Sequence, residues 1–246
     1  MLMLWDQAVG GQPVELARDP NASGPPALAF VMDGSQVVYR VSAGGTQQSD
    51  SLVWEDLISR RTQTIYAAPA QTTIFPRALQ DNYLVWAVNK TILAQDGSPR
   101  TVTAQLLYTK LADGTPAQPQ SLALPDSHLY YGAVLDGDVL YWERDDGVVR
   151  IDHWRGASGM QPIWQRGPAA GSLFVGSGGV LAWTDSTDGR LLIFDTATES
   201  LLVDSSSWTG SPVAVKGKLV WESSPRSSDP GAPGPRMLSW INVSPR

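Results

Sequence analysis

Cysteine is absent from the 246-residue sequence, which excludes disulfides, thiolate metal sites and cysteine nucleophiles but leaves the compartment open. Basic runs are absent too. Four lysines and fourteen arginines are scattered through a chain of net charge −6. The clustered cationic footprint of a nucleic-acid binder, or of an electrostatic membrane anchor, is therefore missing. No apolar stretch approaches the roughly 20 residues that a spanning helix needs, so direct membrane insertion is not expected. The opening, MLMLWDQAVGG, lacks a basic n-region and is interrupted by Asp6, so it does not read as a signal peptide. Histidine is scarce: His128 and His153 stand alone, without a second histidine at metal spacing. The expectation is no transition metal and no other cofactor. The GxSxG, HExxH, P-loop and EF-hand patterns do not occur either.

Tryptophan, by contrast, is abundant, with ten residues, and it recurs in a phrase. GSQVVY (34–39), NYLVW (82–86), GDVLYW (137–142), GGVLAW (178–183) and GKLVW (217–221) each open on a turn former and end on an aromatic. Those aromatics, Tyr39, Trp86, Trp142, Trp183 and Trp221, are spaced by 47, 56, 41 and 38 residues. A short apolar stretch precedes each phrase, and two β-rich runs joined by a Gly, Asp or Asn turn read as a hairpin. A second phrase follows at 52–67, 105–124, 148–164 and 190–203: strand, polar turn, strand. Glu55, Asp152 and Asp195 fall where its first strand gives way to the turn, where short polar side chains can bond local backbone. The chain opens on the same phrase (2–17) and ends on one strand of it (236–243).

Repeats of about 40–45 residues with four strands each are the signature of a β-propeller. Runs such as VLYW and VLAW are apolar at consecutive positions, which suits strands buried on both faces. A large aromatic at a fixed place would fill the gap between neighbouring sheets, so Trp86, Trp142, Trp183 and Trp221 are expected to be buried packing residues. The predicted fold is thus all-β, a single propeller domain over 1–246 with five recognisable four-stranded blades. Two closures fit the strand count: strand 236–243 pairing with strand 12–17, or the N-terminal strands forming a partial sixth blade.

The segments LMLWD (2–6) and LLIFDTATES (191–200) resemble TolB-type and WD-repeat propellers, in which such a strand end precedes a tight turn. The second also resembles the D-x-x-T-G segment of quinoprotein propellers. The Gly-His of the full WD pattern is absent, so the resemblance reaches a superfamily and not one family. It implies a non-catalytic interaction or ligand-binding module of a larger bacterial protein, extracytoplasmic (periplasmic or cell-surface). The alternative is an enzyme: a propeller hydrolase or lactonase, or the gating propeller of a serine peptidase.

Loops carry binding residues more often than the elements that they join. Two connections after a second strand are long, 88–102 and 222–236. The connections between repeats, placed on the same face, hold His128, Tyr130, Arg166 and Trp208. These four are the expected binding rim for a protein, peptide or glycan, with Trp208 in an exposed connection. Asp136/Asp138, Asp145/Asp146 and Asp185/Asp188 sit beside glycines, where backbone reasons explain Asp better than calcium does. The sequons at Asn21, Asn89 and Asn242 are no more than chance expects.

Overall fold

The computed structural model describes residues 2–4, 14–17, 29–42, 49–112, 115–122, 128–136, 138–154, 161–167, 173–177, 179–185, 190–205, 208–215, 218–223 and 237–242. Among them every regular element is a strand. No helix of these residues is long and apolar enough to cross a membrane. The chain divides into two compact units, Met1–Leu129 and Tyr130–Arg246.

In unit 1, β1 (Leu2–Leu4) pairs only with β2 (Val14–Ala17). The next sheet is an antiparallel meander of β3 (Phe30–Asp33), β4 (Gln36–Val41), β5 (Ser51–Asp56) and β6 (Thr62–Ala67). The following sheet has β7 (Thr72–Gln80), β8 (Tyr83–Leu93) and β9 (Pro99–Ala112), with β10 (Thr115–Pro116) and β11 (Gln120–Leu122) both on the outer edge of β9. The second of the two strands expected within 105–124 is thus broken in two. Pro116 and Pro119 lack the N–H that a continuous ladder needs.

Unit 2 holds three sheets. β12 (Tyr130–Asp136), β13 (Val139–Arg144), β14 (Val149–His153) and β15 (Gln161–Arg166) form the first, and β16 (Leu173–Ser177), β17 (Val180–Thr184), β18 (Leu191–Asp195) and β19 (Ser200–Ser205) the second. β20 (Trp208–Val215), β21 (Lys218–Ser223) and β22 (Met237–Asn242) form the third. Within this unit the first strands of successive sheets lie against one another, β12 on β16 and β16 on β20.

Each recurrent aromatic is the fourth residue of the second strand of its sheet: Tyr39, Trp86, Trp142, Trp183 and Trp221. All five are buried, as the sequence led one to expect of the tryptophans. Strand β17 shows why its residues are apolar without alternation. Leu181 and Trp183 pack with Val139, Tyr141, Val149 and Ile151 of the preceding sheet. Val180 and Ala182, of opposite parity, pack with Leu219 and Trp221 of the following one. Successive side chains of a strand point to opposite faces, so a strand sandwiched between sheets is apolar at every position. The same arrangement in unit 1 puts Trp86 among Val38, Leu52, Trp54 and Ile65 of the preceding sheet.

Register also sorts the acidic residues, and it corrects one expectation. Asp56 and Asp195 pair with the first residue of the second strand, Gln36 and Val180. Both cap the following turn: Asp56 Oδ1 accepts from the Ser59 N–H at 2.6 Å, and Asp195 Oδ1 from the Ala197 N–H at 2.7 Å. Glu55 and Asp152 pair one residue further along, with Val37 and Leu140, which turns them to the opposite face. They are buried and cap no turn. The pKa of the Tyr39 hydroxyl is raised by burial first and by Glu55 second, and Asp152 accepts from the Trp142 indole; both aromatics hold the fourth position of a second strand.

A second correction concerns 88–102, expected as a long loop. It is a hairpin in which β8 and β9 run on to Leu93 and Pro99, leaving a turn at 94–98. Asp96 closes it, accepting from the Ser98 N–H at 2.9 Å, and Gly97 supplies a φ of +79°. The other long connection lies outside the described residues from 224 to 236.

Candidate functional site

A concavity of unit 1 lies where the turns of its two large sheets converge. The β7–β8 turn is Asp81-Asn82, with φ of 51° and 63°, the left-handed pair that a tight hairpin of this hand requires. Asp33 on β3 fastens this turn by accepting from the Asp81 N–H at 2.8 Å. On the neighbouring side the β5–β6 turn is held by Asp56 and by the Leu57 N–H, which donates to the Ser35 carbonyl at 2.8 Å. Between them opens a cleft of about 480 Å³, lined by Gln36, Trp54, Asp56, Ser59, Arg61, Asn82, Lys110, Leu111 and Ala112.

Its polar groups are ordered by one chain of hydrogen bonds. The buried Trp54 indole donates to Gln36 Oε1 at 2.9 Å, and Gln36 Nε2 donates to Asn82 Oδ1 at 2.6 Å. Both acceptors are thereby used, and the Asn82 Nδ2 donor is left over. Asp56, the acid of the described lining, is engaged through both oxygens. Oδ1 takes the N–H groups of Ile58 and Ser59, and Oδ2 takes the Ser35 hydroxyl at 2.8 Å. The Ser59 backbone bond, foremost among these, pulls its pKa down to about 2.

A carboxyl whose folded pKa is depressed contributes stability that is complete above its unfolded value of about 3.9 and lost as pH falls through the folded value. Asp56→Asn is therefore expected to flatten acid unfolding between about pH 4 and pH 2 relative to the parent. Urea titrations at several pH values check this, and an unchanged acid slope would count against it.

Of the residues singled out from the sequence, three stand at strand ends and His128 precedes β12. His128 is half-buried, and its backbone carbonyl accepts from the Thr103 N–H at 2.9 Å. Tyr130 opens β12 opposite Arg144, Arg166 closes β15 opposite Val149, and Trp208 opens β20 opposite Ser223. Within unit 2 these three thus lie at corresponding ends of their sheets. The side chains of Tyr130 and Trp208 lie outside the described residues. Trp208 is a strand residue, not the loop residue expected from its Ser/Gly-rich surroundings. A register shift between Thr209 and Val213 absorbs Gly210-Ser211-Pro212 and lets the strand begin earlier. Arg166 reaches the buried Asp185 at 3.0 Å, an ion pair that joins two sheets of the unit.

Glu143, at the same strand end, was not legible beforehand. Burial pushes its carboxyl above the ordinary value, and the neighbouring Tyr141 hydroxyl is raised by burial first and by Glu143 second. In sequence it is merely the polar end of a hydrophobic phrase. Its desolvation arises from the packed sheets, and groups perturbed in this way cluster at functional sites.

Asp146, Asp138 and Glu199 of unit 2 each lie beside an arginine or histidine side chain. Arg144 Nε donates to Asp146 Oδ1 at 3.0 Å. His153 lies between Asp138, 3.3 Å from Nδ1, and Glu199, 2.9 Å from Nε2. Of the sequons, Asn89 is buried and accepts from the Thr103 hydroxyl at 3.0 Å, Asn21 lies outside the described residues, and Asn242 is exposed on β22.

No protein-family model matches the sequence, and no curated protein matches it. Solved structures do match in three dimensions. A puromycin-hydrolyzing peptidase of Mycobacterium tuberculosis aligns with a TM-score of 0.56 at 17% identity, over 98% of this chain and 39% of its own. Prolyl endopeptidase structures align at 0.55 and 12%, over 80% of this chain and 30% of theirs. Dipeptidyl peptidase 4 of Porphyromonas gingivalis aligns at 0.54 and 12%, over 90% and 38%. The chain thus spans between a third and two fifths of two of these proteins and less of the other. With the succession of small antiparallel sheets, these likenesses show an all-β fold of the β-propeller class.

Proposed function

We propose that the chain is a non-catalytic ligand-binding propeller module of a larger extracytoplasmic protein, TolB-like in kind. The observation that carries this reading is the cleft of unit 1. Its floor is a fixed Trp54–Gln36–Asn82 relay, its acid is engaged through both oxygens, and its free groups are suited to holding a ligand. Preformed concave sites with a few convergent polar groups are the usual place for small-molecule binding. In unit 2 the strand ends bearing Tyr130, Arg166 and Trp208, and in unit 1 His128 by itself, are proposed as further contacts for a protein, peptide or glycan.

A second reading is favoured by one finding: the three solved structures described above are peptidases, and the chain spans only a fraction of each. On that reading this is the propeller part of a peptidase whose catalytic part lies elsewhere in the chain.

Two measurements separate these from a catalytic propeller. Purified protein incubated with peptide p-nitroanilides and with lactones is expected to show no turnover above buffer. Turnover that is abolished by substituting a residue of this chain would overturn the binding-module reading. Sequencing the coding region on both sides then decides between the two non-catalytic readings, a contiguous hydrolase domain favouring the peptidase one.

A further inference from the structure

We propose that the unit 1 cleft takes a small ligand bearing a carboxylate or phosphate oxyanion, gripped by Arg61 and Lys110 and oriented by the Asn82 amide. This rests on reading the cleft as a binding site and adds the chemical class of what it binds.

The argument begins with hydrogen-bond direction. The indole of Trp54 can only donate, so Gln36 must present its oxygen to Trp54 and its nitrogen to Asn82. Asn82 in turn must spend its oxygen on Gln36, and what it offers the cleft is an N–H donor. The groups left over, that amide together with the guanidinium of Arg61 and the ammonium of Lys110, are all donors. A cleft that offers donors selects acceptors, and donors of which two are charged select anions most strongly.

Charge points the same way. The whole chain is net −6, yet the described lining carries two cations against one acid. That acid is committed to two N–H donors of its own turn and to the Ser35 hydroxyl, and it makes no ion pair among the described residues. Arg61 is exposed and makes no ion pair or hydrogen bond through its side chain among the described residues. Lys110 is exposed as well, its ammonium 5.7 Å from the Tyr83 ring centroid. A free guanidinium offers the planar fork that matches carboxylate and phosphate alike.

Position is fixed by backbone, not by long side chains alone. The Arg61 carbonyl accepts from the Asp56 N–H at 3.0 Å, and the Asn82 carbonyl accepts from the Leu111 N–H at 2.7 Å, next to Lys110. The three donors therefore stand on anchored main chain at the rims of one opening.

The test uses the whole chain and three probes: inorganic phosphate, glucuronate and, as the neutral comparison, glucose. Binding is followed by the NMR resonances of the Trp54 indole N–H and the Asn82 side-chain amide. The expected result is saturable shifts with at least one anion, weakened by salt. Arg61→Ala and Lys110→Ala should each weaken that binding about tenfold, the loss of one charge-assisted hydrogen bond. Thermal unfolding of both variants should match the parent, because both side chains are exposed. Phosphate alone would assign a phosphoryl ligand, and glucuronate alone a carboxylate. Glucose binding as tightly as glucuronate would overturn the anion class and leave the cleft a binding site. Anion binding indifferent to both variants would overturn the roles of Arg61 and Lys110. No shift with any probe at tens of millimolar would overturn the cleft as a site along with its ligand class.

Discussion

Replacing Trp183 with alanine is expected to lower stability by about 3–5 kcal/mol, the range for truncating a fully buried large aromatic. The side chain is 0% exposed and lies between two sheets of unit 2. Its ring is 5.4 Å from that of Tyr141 and 5.3 Å from that of Trp164, in tilted and edge-on geometries. Truncation would open a void lined by both sheets, each braced by its own hydrogen-bond ladder and so unable to collapse into it. At about 2–4 °C per kcal/mol for a chain of this size, the thermal midpoint should fall by roughly 6–20 °C. Trp240 on β22 provides the contrast. It is 61% exposed, with the Lys218 ammonium 5.9 Å from its ring centroid. Trp240→Ala should cost no more than about 1 kcal/mol. Trp183→Phe separates shape from polarity: the Trp183 indole nitrogen has no hydrogen-bond partner among the described residues, so phenylalanine forfeits volume alone. Equal losses for Trp183→Ala and Trp240→Ala, measured by calorimetry, would remove the packing role assigned to the fourth-position aromatics.

The aromatic positions were legible because they obey local rules. A turn former, a four-residue apolar strand and an aromatic at its end are all written in consecutive residues, and each phrase became a second strand. Strand boundaries erred where a polar sequence hid an extended backbone. VNKTIL and PRTVT read as loop, yet Asn89 pays its desolvation through Thr103 across the hairpin, so the ladder continues. Trp208 erred for the opposite reason, since glycine and proline beside it mark a bulge within a strand. The cleft was not legible at all. Asn82 was visible as a turn residue, but its bond to Gln36 spans 46 positions, and Arg61 and Lys110 come from different sheets. Sites of this kind are made by the convergence of turns, and no local spacing encodes them.

The acids of the third strands carry the other large effect, and Asp152 is the clearest case. Its side chain is 0% exposed, and both oxygens are used: Oδ2 by the Trp142 indole, Oδ1 by Arg150 at 2.6 Å. Arg150 also stacks over Trp142, 5.2 Å from the ring centroid, so aromatic, acid and cation form one unit. Removing one partner of a buried pair strands the other, at a cost of about 3–5 kcal/mol. Asp152→Ala is expected in that range because it orphans a buried indole N–H as well as the guanidinium. Arg150→Ala should cost a comparable amount, since it leaves a fully buried carboxylate with the indole alone. The double variant Asp152→Ala, Arg150→Ala removes both charges together and should cost clearly less than the sum of the two single losses, giving a coupling above about 1 kcal/mol in a double-mutant cycle. Asp195 supplies the control. It stands one register position away and caps an exposed turn, so Asp195→Ala should cost only about 0.5–1.5 kcal/mol, the usual worth of a hydrogen bond. Denaturant titrations of the four variants decide the matter. Additive losses at Asp152 and Arg150, or an Asp152→Ala variant no less stable than Asp195→Ala, would show that the buried acid is a bystander to Trp142 and not its anchor.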